Sequence, residues 1–156
     1  MRYYFLLDEN VLYHAARLVD QHDKPDETAA ELIRSIARIC HRLVIHKVLL
    51  DRYWHILQKL ISERSSAAEA VYFIKEFMNN VDKRTLDYTD LPELPAGVKI
   101  PRKDEPIVRA ALISLPIVVT ADKPLREAIR AQPVLGLTAL STKKALEFVK
   151  QHPAEG

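Results

Sequence analysis

The sequence predicts an α/β protein of three layers, in which helices cover both faces of a central parallel sheet of about five strands. Short apolar runs alternate with helical patterns along the chain, an order typical of parallel sheets. The run "PIVVT" (residues 116–120) is almost wholly apolar, as a strand buried on both faces should be. A length of 156 residues fits one domain, residues 1–156.

The first part of the chain contains two candidate strands. Residues 3–7 form too short an apolar run for a buried helix, and their aromatic side chains favour a strand. A short helix is expected at residues 10–17, and a second from Thr28, where Glu31 completes a capping box. The run "RLVIH" favours the second strand.

Two helices are expected next, followed by an irregular segment. Residues 47–62 show helical periodicity, with a predicted core face of Leu50, Trp54, Leu57 and Ile61. A capping box at Ser66 and Glu69 opens a helix that extends to Met78. Proline and glycine make residues 79–102 irregular, with one short strand near Thr85.

The last third of the chain repeats the alternation of helix and strand. Pro106 lies in the first turn of its helix, where proline is tolerated. The predicted elements are the helix "KDEPIVRAALIS", the strand "PIVVT", the helix "ADKPLREAIR", the strand "VLGLT" and a helix from Ser141 to Gln151.

Composition excludes several classes of site. The single cysteine, Cys40, rules out a disulfide framework within the chain and is expected to be a buried, inert thiol. Only three glycines are present, so no glycine-rich phosphate loop exists. A net charge of +2 neither requires nor excludes nucleic acid. Without a signal-peptide pattern or a membrane-length apolar run, we expect a cytoplasmic protein without membrane contact.

Four aspartates are predicted to reach one edge of the sheet. Asp8 follows the first strand and Asp122 follows "PIVVT". Asp104 begins the helix that leads into "PIVVT", so it returns to the carboxyl edge of the sheet. Asp51 lies in an early turn of the helix after "RLVIH". Ligands of parallel sheets bind outside the carboxyl ends of the strands.

Clustered carboxylates repel one another, and a divalent cation removes that cost. Oxygen ligands suit Mg²⁺ or Mn²⁺, which can activate water and stabilise phosphoryl transfer. Asp8, Asp51, Asp104 and Asp122 are therefore the candidate catalytic acids, and Glu9 and Glu105 are second choices at their sites. The alternatives are that Asp104 and Asp122 are helix N-caps and that Asp51 is a solvated helix residue.

Three motifs together resemble the PIN domain family. "LLDENVL" is similar to the opening of PIN domains, "KDEPIVRAAL" to their third acidic motif, and "VVTADKPL" to their fourth, a strand ending in Thr-x-Asp. The resemblance covers nearly the whole chain. It implies a metal-dependent ribonuclease with a five-stranded parallel sheet.

The resemblance also implies roles for individual residues. The implied metal ligands are Asp8, Asp104 and Asp122, with Asn10 orienting Asp8 and Thr120 bonding a carboxylate or a substrate water. Two positions depart from the family pattern. Asp51 stands where the family usually has glutamate, and Lys123 and Pro124 replace a polar or acidic residue and an aromatic one.

Single-stranded RNA is the expected substrate, and basic residues flank the acids as a phosphate backbone requires. Arg52 and Lys103 are the predicted RNA contacts, since each adjoins a predicted acid. Tyr53 and Trp54 are candidates for base stacking, although Trp54 fits the helix core better. The sequence neither requires nor excludes an antitoxin partner or a homodimer.

Two other interpretations remain open at this point. "VLLDRYW" superficially resembles the phosphoacceptor strand of response-regulator receivers, but the residues after Asp51 keep helical periodicity. The second alternative is a PIN-like domain that has lost catalysis and binds RNA or another protein; the Asp51 departure favours it.

Overall fold

The apolar run after Tyr3 forms a strand, β1 (Tyr4–Leu7), whose last three residues are buried. It is the middle strand of a five-stranded sheet in which every neighbouring pair is parallel. This computed structural model describes residues 2–39, 41–63 and 67–153. The predicted three-layer α/β/α architecture with a parallel sheet is confirmed.

The remaining elements alternate along the chain. The other strands are β2 (Arg42–His46), β3 (Arg84–Asp87), β4 (Ile117–Val119) and β5 (Thr138–Leu140). The helices are α1 (Glu9–Arg17), α2 (Thr28–Arg38), α3 (Lys47–Ser62), α4 (Ala67–Phe73), α5 (Glu105–Ser114), α6 (Lys123–Arg130) and α7 (Thr142–Gln151). A π-helical turn, Ile74–Met78, continues α4. None of the described helices has both the length and the apolar character needed to cross a membrane.

The strand order is β3-β2-β1-β4-β5, so the chain builds outward from β1 on one side and then returns to build the other side. This reversal opens a crevice between the carboxyl ends of β1 and β4, where ligands of such sheets bind. Receiver domains have the order 2-1-3-4-5. The response-regulator interpretation is therefore wrong, and Asp51 lies within α3 rather than at a strand end.

The buried face of α3 differs from the predicted one. Leu49, Tyr53, Leu57 and Leu60 are buried, whereas Ile61 is 43% exposed and Leu50 and Trp54 are half-buried. The helix has apolar residues on two overlapping stripes, so periodicity alone cannot choose between them. Tyr53 is selected because its hydroxyl donates a hydrogen bond to the Leu7 carbonyl at the end of β1. A fully buried ring cannot stack on a base, so that prediction for Tyr53 is wrong.

Two local predictions also fail. The Thr28 capping box does not form, because Asp26 Oδ1 accepts hydrogen bonds from both the amide and the hydroxyl of Thr28. The last strand begins only at Thr138, the final residue of "VLGLT", since Pro133–Leu135 form a 3-10 turn that ends at Gly136 with φ +66°. The predictions for Cys40 and for Ser66 lie outside the described residues.

A buried histidine ties both ends of the described chain to the sheet. His41 is inaccessible to solvent. Its Nδ1 accepts a hydrogen bond from the Tyr3 amide at 3.1 Å, and its Nε2 lies 2.7 Å from the carbonyl of His152. Only the neutral ring protonated at Nε2 satisfies both contacts. Burial lowers the pKa of His41, and the His152 carbonyl opposes that effect.

We expect the His41 contacts to stabilise the protein only when the ring is neutral. Because the pKa is lowered in the folded state, this contribution is complete above about pH 6.5 and is lost as the pH falls through the folded-state pKa. Replacing His41 by Asn should cost about 1–2 kcal/mol at pH 8. Urea unfolding from pH 8 to pH 5 should show this difference shrinking; a constant difference contradicts the prediction.

Candidate functional site

Three aspartates occupy the positions just before helices. Asp8 precedes α1 and Asp122 precedes α6, while Asp104 ends a 3-10 turn (Arg102–Asp104) and precedes α5. None of the three side chains makes a capping hydrogen bond to its helix. The N-cap explanation for Asp104 and Asp122 is therefore wrong.

The three aspartates instead line one open cavity of about 260 Å³. Asp8 and Asp122 follow β1 and β4, so the cavity lies at the crevice where the strand order reverses. The structure thus brings together the three predicted metal ligands, the supporting Asn10 and both predicted RNA contacts. The full set of lining residues is Asp8, Glu9, Asn10, Arg52, Lys103, Asp104 and Asp122.

Asp8 is held by the end of β4 and the start of α1. Its amide donates to the Val119 carbonyl at 2.9 Å, which extends the pairing of β1 with β4. The buried Thr120 hydroxyl donates to Asp8 Oδ2 at 2.7 Å, the carboxylate hydrogen bond expected of this residue. Asn10 Nδ2 approaches the same oxygen at 3.4 Å, and Asn10 Oδ1 accepts from the Ala121 amide at 3.3 Å. Thr120 and Asn10 therefore fix the orientation of Asp8.

Negative charge is crowded around Asp8. The pKa of Asp8 is raised to about 7, chiefly by burial and then by a hydrogen bond with the neighbouring Glu9 carboxyl and by the Glu9 charge, while the Thr120 hydrogen bond opposes the rise. The Asp104 charge adds to the rise. The pKa of Asp104 is itself raised, first by burial and then by Asp122. Near neutral pH, Asp8 is thus poised between its protonated and its ionised form.

Two carboxylate oxygens in this cavity are buried without a hydrogen-bond partner. They are Glu9 Oε2 and Asp104 Oδ2, two of the three such side-chain atoms in the described part of the chain. A buried oxygen without a donor costs about 1–3 kcal/mol, so native proteins rarely keep one without a reason. Both residues line the same cavity, and a cation is one kind of partner that such oxygens accept.

The basic residues compensate the charge only weakly. Arg52 Nη1 lies 3.8 Å from Glu9 Oε1, and Lys103 Nζ lies 3.9 Å from Asp122 Oδ2. All four side chains are partly exposed, and the Lys103 side chain is 77% exposed. Exposed ion pairs of this kind contribute about 1 kcal/mol or less.

The donor set is chemically suited to Mg²⁺ or Mn²⁺, because the carboxylates supply only hard oxygen ligands. Within residues 2–39, 41–63 and 67–153, however, no three His, Cys, Asp or Glu side chains are arranged to hold a metal ion together. Glu9 is turned toward Arg52 and Asp122 toward Lys103. Side-chain rotation would therefore have to accompany metal binding.

Asp51 does not join the acidic cavity. It is exposed and lines a separate cavity of about 350 Å³ with Lys47 and Tyr88. Its place as the fourth acid is taken by Glu9, which sequence reasoning named only as a second choice. The cause is the orientation of α3: with Tyr53 buried, Arg52 reaches the acidic cavity and Asp51 does not. The signal for Glu9 was its position directly after Asp8 at the end of a buried strand.

No family model, curated protein or solved structure matches this chain. Its function therefore has to be inferred from its own residues.

Asp8→Asn should stabilise the metal-free protein at alkaline pH. Ionising Asp8 costs more in the folded state than in the unfolded state, so the penalty is absent below about pH 3.8, grows toward pH 7 and is complete above it. A rise in pKa from 3.8 to about 7 sets an upper limit of about 4 kcal/mol. Urea unfolding in EDTA should show the advantage of the variant at pH 8 and its loss near pH 4.

The matched control is Asp82→Asn, which removes an exposed carboxylate far along the chain from the site. It should leave the pH dependence of the parent unchanged. If the parent is as stable as Asp8→Asn at pH 8, the carboxylate crowding has no energetic effect and the prediction fails.

Proposed function

We propose that this protein is a Mg²⁺- or Mn²⁺-dependent endoribonuclease of the PIN type that hydrolyses phosphodiester bonds of single-stranded RNA. The observation that carries the proposal is the pair of buried, unpartnered oxygens of Glu9 and Asp104 in a cavity shared with Asp8 and Asp122. Such oxygens lower the stability of the fold, and cation binding explains why a site would keep them.

Asp8, Asp104, Asp122 and Glu9 would hold the metal, with Asn10 and Thr120 orienting Asp8. When bound, a divalent cation supplies stabilisation for the negative charge that develops during phosphodiester hydrolysis. Asp8 has a pKa of about 7, so it can exchange a proton near neutral pH when no cation is present.

The basic side chains of the cavity favour a polyanionic substrate. Arg52 and Lys103 stand at its rim, each within 4 Å of a carboxylate. If Glu9 and Asp122 turned inward to hold a metal, Arg52 and Lys103 would be left to meet phosphate oxygens. Arginine and lysine are the usual partners of an RNA backbone.

A second candidate function is a PIN-like module that has lost catalysis and binds RNA or another protein. It is favoured by two observations: no metal-holding group of three side chains exists among the described residues, and Asp51 lies in another cavity. An antitoxin partner and a homodimer would both be compatible with such a module.

Cleavage of a fluorescently labelled single-stranded RNA should require Mn²⁺ or Mg²⁺ and should stop in EDTA. Asp8→Asn and Asp122→Asn should reduce the rate roughly 100-fold or more, because each removes charge that the site needs at the transition state. The measurement is the initial rate with purified protein at saturating metal, and Asp82→Asn should cleave as fast as the parent.

The decisive comparison is between the parent and Asp8→Asn. Equal rates would show that any cleavage comes from a contaminant or another site, and the nuclease proposal would then be abandoned. RNA binding without cleavage by the parent would favour the module that has lost catalysis.

Metal affinity should depend on Glu9 and Asp104 but not on Asp51. Glu9→Gln and Asp104→Asn each remove a buried oxygen charge and should weaken Mn²⁺ binding at least about tenfold in calorimetry. Asp51→Asn should bind Mn²⁺ like the parent, because its side chain lines a different cavity. Weakening by Asp51→Asn as large as by Glu9→Gln would return Asp51 to the metal site.

A further inference from the structure

A second cavity lies beside the acidic one along the carboxyl edge of the sheet. Its volume is about 350 Å³, and it is bounded by the start of α3 and by the segment that follows β3. Asp51 lines it, whereas the next residue, Arg52, lines the acidic cavity. The two cavities are therefore neighbours, and one bound strand could occupy both.

An aromatic ring stands exposed on a fixed backbone in this cavity. Tyr88 is 63% exposed. The Thr89 amide donates to Asp87 Oδ1 at 2.9 Å, and the Thr89 carbonyl lies 2.6 Å from His46 Nε2. His46 Nδ1 accepts from the Val48 amide at 3.0 Å, so the neutral ring bridges α3 to the segment that carries Tyr88. The backbone that carries the exposed ring is thus held by contacts of the neighbouring residues.

Three charged side chains around the Tyr88 ring are available to a ligand. Lys47, Asp51 and Asp90 line the cavity, and none makes a side-chain hydrogen bond or ion pair with the rest of the described chain. Lys47 and Asp51 are four residues apart on α3, so they face the same side of the helix. A flat ring, a cation and acceptor-only carboxylates complement a nucleotide: a base, its phosphate and its hydrogen-bond donors.

We propose that this cavity is a base-binding subsite that selects guanine in single-stranded RNA. The proposal rests on the proposed function, which makes RNA the ligand. Tyr88 stacks on the base, Lys47 meets the adjoining phosphate, and the Asp51 carboxylate accepts hydrogen bonds from the Watson–Crick edge. Guanine fits because it offers two adjacent donors, N1–H and N2–H, to the two oxygens of one carboxylate. Adenine and cytosine offer an amino donor beside a ring acceptor, and uracil one imino donor between two carbonyls.

The test measures binding without cleavage. A labelled oligouridylate with one central guanosine is titrated in EDTA by fluorescence anisotropy, beside the same oligomers with adenosine, cytidine or uridine at that position. The parent should bind the guanosine oligomer roughly tenfold more tightly, the scale of a bidentate contact to a base. Asp51→Asn should abolish that preference, and Tyr88→Ala should weaken binding of all four oligomers roughly tenfold.

Two controls match these variants. Tyr4→Ala removes a ring that is 42% exposed at the opposite end of β1, and Asp82→Asn removes an exposed carboxylate outside the cavity. Neither should change the affinity or the preference. Circular dichroism should show that Tyr88→Ala keeps its fold, since the ring it removes is exposed.

Failure of this proposal and failure of the nuclease proposal are distinguishable. Equal binding of all four oligomers, no binding, or no effect of Tyr88→Ala overturns the subsite, even if the parent cleaves RNA with Mn²⁺. Loss of the preference in Asp90→Asn but not in Asp51→Asn overturns the role of Asp51. A guanine preference that depends on Asp51 and Tyr88 supports the subsite, even if no metal produces cleavage.

Discussion

The burial of Asp8 at the carboxyl end of β1 is the constraint on which the site depends. The central strand of the sheet carries this carboxylate into a place where Glu9 and Asp104 add like charge. The folded chain tolerates the crowding because Thr120 donates to Asp8 and because α1, α5 and α6 all begin beside the cavity. Their positive ends each offset roughly 0.3–1 kcal/mol of anionic charge. That compensation is incomplete, since the pKa of Asp8 still rises to about 7.

The buried face of α3 decides how its neighbouring residues are used. Tyr53 lies on that face with Leu49, Leu57 and Leu60, and its hydroxyl donates a hydrogen bond to the Leu7 carbonyl at the end of β1. Successive residues of a helix are separated by about 100°. Consequently Arg52 stands at the acidic cavity and Asp51 at the neighbouring one. Two opposite charges are thereby placed side by side, one at each cavity.

The sequence was sufficient for those features that follow from strand ends. Buried strands are apolar and short, so β1 and β4 could be located, and the acids after them had to meet at one edge. The rotation of α3 was not predictable, because its two apolar stripes are equivalent in the sequence. Only the folded structure shows that Tyr53 is bonded to the Leu7 carbonyl. Tyr88 was overlooked for a related reason: it lies in an irregular segment whose position depends on contacts with His46 and Asp87. Contacts between distant parts of the chain leave no periodic signal.

The basic residues at the acidic cavity are paired only weakly with its carboxylates. Without a cation, Arg52 and Lys103 neutralise Glu9 and Asp122 through long, partly exposed pairs that each contribute about 1 kcal/mol or less. Leaving two buried oxygens unpartnered costs more than that. The carboxylates of Glu9 and Asp122 could therefore turn away from their basic partners at little cost. Such a rotation would leave Arg52 and Lys103 without a carboxylate partner at the rim of the cavity, so the same side chains that balance the acids would become available to an anionic ligand.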